Sequence, residues 1–282
     1  MPSTGISWGL GAAGFLASMA LMLAVAAKWK LPLKPTLIGT TPSALVAALP
    51  FVLLYGHCKT NWAIVLALLA QIGLALACAL ALAMQRFWRD PERIPPEQKG
   101  VVLSAADGQV LYVRTVADSS TPLATKHGRD FPLKELAGAE LLADGAHVIG
   151  VEMNLLNVHV NRCPIGGEVM LLRHIKGKFI SLRADEAPFV NERLTTVIEG
   201  PALTVAVVQV ASRLVRRVVG YLSVGQMVAE GQRLGMIRFG SLVAVILPAR
   251  EDVRVAVKAG DNVTAGVSIL ARYAIDDRRA DR

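Results

Sequence analysis

The sequence predicts a β-rich (α+β) soluble domain with barrel-sandwich-like strands, preceded by N-terminal transmembrane helices. Two features predict the helices. Residues 1–85 hold four Lys and no Asp, Glu or Arg, while the rest of the chain is charged normally. Apolar runs in that segment reach the roughly 20 residues that a helix needs to cross a hydrocarbon core. A third feature predicts the strands: from Val101 onward the texture changes to short Val-, Ile- and Leu-rich runs broken by Gly, Asp and Pro, as strands bounded by turns are.

Taken in order, Gly9 to Ala27 is the first apolar run, Ser43 to Tyr55 a shorter one, and Trp62 to Met84 the strongest. The middle run holds Pro50 and spans only if extended back towards Thr36; otherwise it is interfacial, and the anchor has two spans rather than three. The first run lacks the basic n-region of a signal peptide. Lys28, Lys30 and Lys34 follow it, and Arg86, Arg89 and Arg93 follow the last. With three spans, both basic clusters lie on one side, which the positive-inside rule makes cytoplasmic. The expected organisation is a membrane anchor over residues 1–85, a juxtamembrane linker over 86–100 and a catalytic domain over 101–282, facing the cytoplasm from the inner membrane.

Strands are expected at Val101 to Leu103, Gln109 to Val113, His147 to Glu152, Leu203 to Val210 and Leu242 to Leu247. Helical periodicity is confined to Pro132 to Leu142 and Glu186 to Leu194. One internal repeat stands out. Gly225, Val228 and Gly231 recur as Gly260, Val263 and Gly266 at the same spacing, a pattern that suits a strand, a glycine turn and a return strand, as in lipoyl and biotinyl carriers. Those glycines shape turns rather than perform chemistry.

The net charge of +8 comes with no long run of like charge and no zinc-finger spacing, so nucleic-acid binding has little support; flanking Lys and Arg next to membrane spans account for the excess. Cys58, Cys78 and Cys163 are scattered and odd in number, which implies no disulfide framework and no metal cluster. The common catalytic signatures are missing: there is no phosphate loop ending in GK[ST], no HExxH and no G-x-S-x-G elbow. What remains is a series of weak local features. Phe87 to Arg93 reads as an interfacial anchor, Asp107–Gly108 as a turn, His159 as a histidine in a strand-like run, and Gly240–Ser241 as a pair between two apolar runs.

In order, however, these pieces resemble the phosphatidylserine decarboxylase family, especially its short bacterial and archaeal type. The matching segments are FWRDPER (87–93), SAADG (104–108), NVHVNRCPIGG (157–167), KGKF (176–179), NER (191–193) and GMIRFGS (235–241). The resemblance covers roughly residues 40 to 272 and implies a proenzyme that cleaves itself at the Gly240–Ser241 bond. It further implies that Ser241 attacks the Gly240 carbonyl, that the resulting ester eliminates to dehydroalanine, and that loss of ammonia leaves a pyruvoyl group. Residues 1–240 and 241–282 then form a heterodimer of β and α chains.

Decarboxylation leaves a carbanion that no side chain can delocalise, and a carbonyl joined to the substrate amine supplies the electron sink. The substrate implied is phosphatidylserine held in the membrane, and the products phosphatidylethanolamine and CO₂. By position in the family pattern, Ser241 is the nucleophile, His159 the base and Asp107 its orienter, a triad logic that activates a weak hydroxyl nucleophile. Arg162, Lys178 and Arg193 are candidates to bind the lipid phosphate or carboxylate. His147 is the one rival base.

Two departures from the family pattern stand out. Arg162 occupies the place where many relatives carry a second histidine, loading both duties onto His159. Leu242 follows the serine where short-type relatives often carry a basic residue. Two alternatives remain at this point: a membrane-anchored carrier or binding module of lipoyl or biotinyl type, and the same chemistry on an archaeal-type serine ether lipid.

Overall fold

The computed structural model describes residues 4–28, 31–55, 57–58, 60–117, 122–126, 129–132, 137, 145–178, 187–211, 218–237 and 241–274. The chain divides into two compact units at Trp88/Arg89.

The first unit is three helices: α1 (Thr4–Lys28), α2 (Leu33–Tyr55) and α3 (Asn61–Trp88). All three are long and apolar enough to cross a membrane. The middle run therefore takes the extended form, beginning at Leu33 despite Pro42 and Pro50 inside it. Hydroxyls on Thr36, Thr40 and Ser43 each donate to the carbonyl four residues back, which keeps those polar groups satisfied within the helix. Gln71 of α3 ties the bundle together. Its Nε2 donates to the Gly11 carbonyl of α1, and its Oε1 accepts from the Tyr55 hydroxyl of α2 at 2.7 Å. A buried carboxamide with both ends engaged is how an apolar bundle tolerates a polar residue.

The second unit is a curled antiparallel sheet. Its strands in the first stretch are β1 (Val101–Leu103), β2 (Gly108–Val116), β3 (Pro122–Lys126), β4 (Arg129–Pro132), β5 (Ala146–Met153), β6 (Val160–Arg162), β7 (Gly167–Ile175) and β8 (Arg193–Glu199). These are followed by β9 (Thr204–Val210), β10 (Val218–Gly220), β11 (Met227–Val228), β12 (Arg233–Ile237), β13 (Ser241–Pro248), β14 (Val253–Val255), β15 (Asn262–Val263) and β16 (Ile269–Tyr273). One turn of helix, α4 (Ala187–Val190), precedes β8. The helix expected over Glu186 to Leu194 is thus only this turn, because the continuously buried residues from Arg193 to Ile198 serve a strand covered on both faces. Pro132 to Leu142 lies largely outside the described residues, and Pro132 itself closes β4.

Eight strands form the main sheet in the order β11-β7-β8-β9-β13-β5-β2-β15, and two three-stranded sheets, β1-β16-β14 and β10-β12-β6, complete the core. The central strands read as continuous apolar runs because both faces are covered. On β13, Val243, Val245 and Leu247 enter one core and Leu242, Ala244 and Ile246 the other. β9 divides the same way, with Val205 and Val207 opposed to Ala206, Val208 and Val210.

The strand order is a palindrome about the β9–β13 pair, and its two halves are copies of one unit. Leu103 N–H donates to the Pro164 carbonyl at 2.8 Å, and Arg162 N–H to the Ala105 carbonyl at 2.9 Å. Gly108 and Gly167 open β2 and β7 with φ of 156° and 154°. A Cβ on either would lie 2.1 Å from a carbonyl oxygen, of Glu152 or Glu199. The glycine repeat seen in the sequence is part of this duplication: β11 pairs with β7, and β15 with β2. One copy comprises β6 to β12. The other comprises β1, β2, β5 and β13 to β16, so the first is inserted within the second.

Candidate active site

The chain crosses between the two copies twice. The first crossing, residues 154–159, joins β5 to β6 and ends on His159; the second, residues 238–240, joins β12 to β13 and ends before Ser241. The strands that flank the two crossings pair with one another. Ser241 stands opposite Met153 in the β13–β5 ladder. At the other end, Met236 stands opposite Val160, and Ile237 N–H donates to the His159 carbonyl at 3.2 Å. Gly240 lies outside the described residues, and Ser241 is placed by its backbone.

His159 is fully buried. Its Nδ1 lies 2.9 Å from the Asn157 carbonyl oxygen. A carbonyl only accepts, so the proton sits on Nδ1 and Nε2 carries the lone pair. Burial pushes the His159 pKa down to about 4, against the raising effects of the Asn157 hydrogen bond and of the Asp107 charge. A neutral imidazole with a fixed tautomer is the form a general base requires.

Asp107 is also buried, in the turn between β1 and β2. Both its oxygens accept from Arg93, at 3.2 and 2.9 Å, and one accepts from Ala265 N–H at 2.8 Å. Its charge is felt at His159, and the Asn157 carbonyl contacts the imidazole directly. Asn161, on β6, receives the Gln209 amide at 2.7 Å, and Gln209 stands opposite Val243. Gln209 Oε1 is buried with no hydrogen-bond partner among the described residues. It is an acceptor waiting for a donor close to the start of β13.

The segment after α3 is latched to this region rather than loose. Arg93 holds Asp107, Arg89 donates to the Leu156 carbonyl, and Asp90 accepts from both Arg162 and Arg233. Glu92 pairs with Arg233 as well. Sequence reasoning took Phe87 to Arg93 for an interfacial anchor and a segment of the family pattern, without these pairs; the density of charge within it was the available signal for them.

The three candidate substrate residues fall in different surroundings. Arg162 is buried, donating to Gly231, Pro91 and Asp90, and it lines an open pocket of about 530 Å³ with Arg93, Tyr221, Glu230 and Arg233. Glu230 Oε1 is buried there without a partner among the described residues, and burial raises its pKa. Arg193 is buried on β8 and donates to the Asn191 carbonyl at 3.1 Å. Lys178 is exposed and bridges to Asn191.

Rival groups fall away on geometry. His147 stands opposite Leu247, six residues along β5 from the Met153–Ser241 pair, about 20 Å at the rise of a strand. His174 pairs with Glu192 at 2.9 Å. Burial pushes the Cys163 thiol up to about 12, so it stays protonated and is no competing nucleophile. Among the described residues no group of three or more His, Cys, Asp or Glu is placed to hold a metal ion.

A match to the phosphatidylserine decarboxylase family model spans residues 80–271, taking in the latch, both crossings and β13. A protein of Pelobacter propionicus named phosphatidylserine decarboxylase proenzyme is 40% identical over 199 residues, 70% of this chain and 80% of its own length. One of the same name from Azorhizobium caulinodans is 37% identical over 200 residues, 70% and 77% of the two chains. An archaeal relative from Methanocaldococcus jannaschii, which carries an archaetidylserine decarboxylase proenzyme name, is 36% identical over 194 residues, 69% of this chain and 91% of its own.

Proposed function

The chain belongs to the phosphatidylserine decarboxylase family and is a carboxy-lyase, and on that footing we propose that it is a self-processing enzyme converting phosphatidylserine to phosphatidylethanolamine and CO₂ with a pyruvoyl group made from Ser241. The observation that supports this reading is the pairing of the flanking strand ends: Ser241 stands opposite Met153 where β13 begins, and Ile237 N–H donates to the carbonyl of the buried, neutral His159 where β12 ends. Family membership replaces the carrier-module alternative.

In self-processing, His159 Nε2 takes the Ser241 hydroxyl proton as Oγ bonds to the Gly240 carbonyl carbon. The imidazolium then returns that proton to the nitrogen of residue 241 as the Gly240–Ser241 C–N bond breaks, turning an amide into an ester and freeing the amine. A base of this kind is worth roughly 10²–10⁴ in rate. Asp107, neutralised in part by Arg93, acts on His159 through its field.

The surroundings suit the resulting group. β13 pairs with β5 over Ser241–Pro248 and with β9 over Leu242–Ile246, so a new chain end at residue 241 remains anchored, and Gln209, opposite Val243, offers an acceptor two residues along. A pyruvoyl group there supplies the electron sink for the departing carboxylate. Arg162, Lys178 and Arg193 remain the proposed contacts for the lipid's anionic groups, and Glu230 is an acceptor suited to an ammonium. Spans α1 to α3 hold the enzyme where its substrate resides, in the inner membrane, with the catalytic unit on the cytoplasmic side as the flanking Lys and Arg indicate.

Purified wild-type chain should separate into a β fragment (1–240) and an α fragment (241–282), the latter with a blocked N-terminus, while Ser241→Ala stays whole. A single intact wild-type band active on phosphatidylserine would overturn the processing step. A second reading keeps the chemistry and changes the lipid to a serine ether lipid, favoured by the name of the Methanocaldococcus jannaschii relative. Assay on both lipids separates them.

A further inference from the structure

The internal duplication supplies a control for what the fold itself requires of the surface. The turn between β10 and β11 and the turn between β14 and β15 have the same backbone. Gly225 N–H donates to Val169 and Gly260 N–H to Val110, each at 2.8 Å, and both glycines have positive φ, 83° and 95°. Their exposed side chains differ. Tyr221, Val224 and Met227 stand in one copy where Ala256, Ala259 and Asn262 stand in the other. The backbone is therefore satisfied by small or polar residues, and it does not itself require the large apolar Val224 and Met227.

They are also far from buried. Tyr221 is 48% exposed, Val224 61% and Met227 70%. Met227 faces Glu168 across the ladder. On the other side Tyr221 shares its pocket with Pro95, which packs against Gly231, and Ile94 beside it is 86% exposed. Large apolar residues gathered in this way mark an interaction surface.

We propose that Ile94, Tyr221, Val224 and Met227 form a bilayer-docking surface, seating the rim of the Arg162–Glu230 pocket in the interfacial layer of a lipid membrane. Two observations favour lipid over a protein partner. Ile94 follows the last residue of α3 by only six positions, so the patch is tethered to a segment apolar enough to cross a bilayer. The patch also mixes aliphatic side chains with a tyrosine, the composition of interfacial anchors. The inference does not depend on the decarboxylase reading.

Single cysteines test it in the full chain reconstituted in phospholipid nanodiscs, with Cys58 and Cys78 replaced by serine. Val224→Cys and Met227→Cys, and the matched Ala259→Cys and Asn262→Cys, would each carry an environment-sensitive fluorophore. Nitroxide-bearing lipid should quench the labels at 224 and 227 roughly twofold or more, with little quenching by a water-soluble agent, and the labels at 259 and 262 should do the reverse. The same pattern at both turns would overturn the proposal. So would labels at 224 and 227 shielded from both quenchers, the result a protein partner would produce.

Discussion

The two copies that meet at β9 and β13 share a hydrogen-bond plan and little else. Asp107 in one copy has Gly166 as its counterpart in the other; His159, just before β6, corresponds to Gly100, just before β1. Where β8 and β9 are joined by a short turn at Gly200 to Leu203, the equivalent strands β5 and β13 are left open, and their ends lead into the two crossings. The difference teaches how a symmetric scaffold acquires a single site. The proposed reactive residues His159 and Ser241 flank the passages from one copy to the other, where the strand ends are free of a hairpin.

Several substitutions would break or sharpen that comparison. The largest effect is expected for Ser241→Ala, which should abolish both chain cleavage and decarboxylation, read by electrophoresis and CO₂ release; the counterpart Leu203→Ala should leave cleavage intact. His159→Ala should slow cleavage by roughly 10²–10⁴, measured as the disappearance of freshly translated proenzyme.

Gly108→Ala and Gly167→Ala meet the same carbonyl clash at the same backbone angle. Each should cost about 3 kcal/mol of stability, while only Gly108→Ala, next to Asp107, should also slow processing. Arg93→Gln removes one partner of a mostly buried pair and should destabilise the catalytic unit by about 3 kcal/mol. It also leaves Asp107 without its counter-charge, which should raise the pKa of His159.

The smallest effect is a pH limb. His159 in the folded chain stays neutral down to about 4, below its ordinary 6.5. Between those values the unfolded chain binds a proton that the folded chain does not, so stability falls as pH drops from 6.5 towards 4 and the loss is complete below that. Cleavage should likewise persist until pH approaches 4, where Nε2 is protonated, and an acid limb near 6.5 would show that burial does not tune this histidine.

Much of the architecture was legible because it rests on local pattern. The spans are long apolar runs, and β1, β2, β5, β9 and β13 are β-branched stretches recognisable without their partners. The repeat around Gly225 and Gly260 was visible because its glycines keep fixed spacing. Its extension to Gly108 and Gly167 was not, since those positions are matched by backbone geometry while their neighbours Asp107 and Gly166 share no chemistry. The candidate residues stood out through an ordered set of short motifs, but their contacts did not. Asp107 is gripped by Arg93 and His159 by the Asn157 carbonyl, and neither a backbone acceptor nor a pair folded back from the juxtamembrane segment leaves a periodic trace.

The central claim is that one peptide bond, at the second crossing, rearranges. Intact-mass measurement of the purified chain tests it most directly. The account predicts two species, residues 1–240 with a free carboxylate and residues 241–282 with pyruvoyl in place of the N-terminal serine. A single species of 30.1 kDa, fully active on phosphatidylserine, would contradict it.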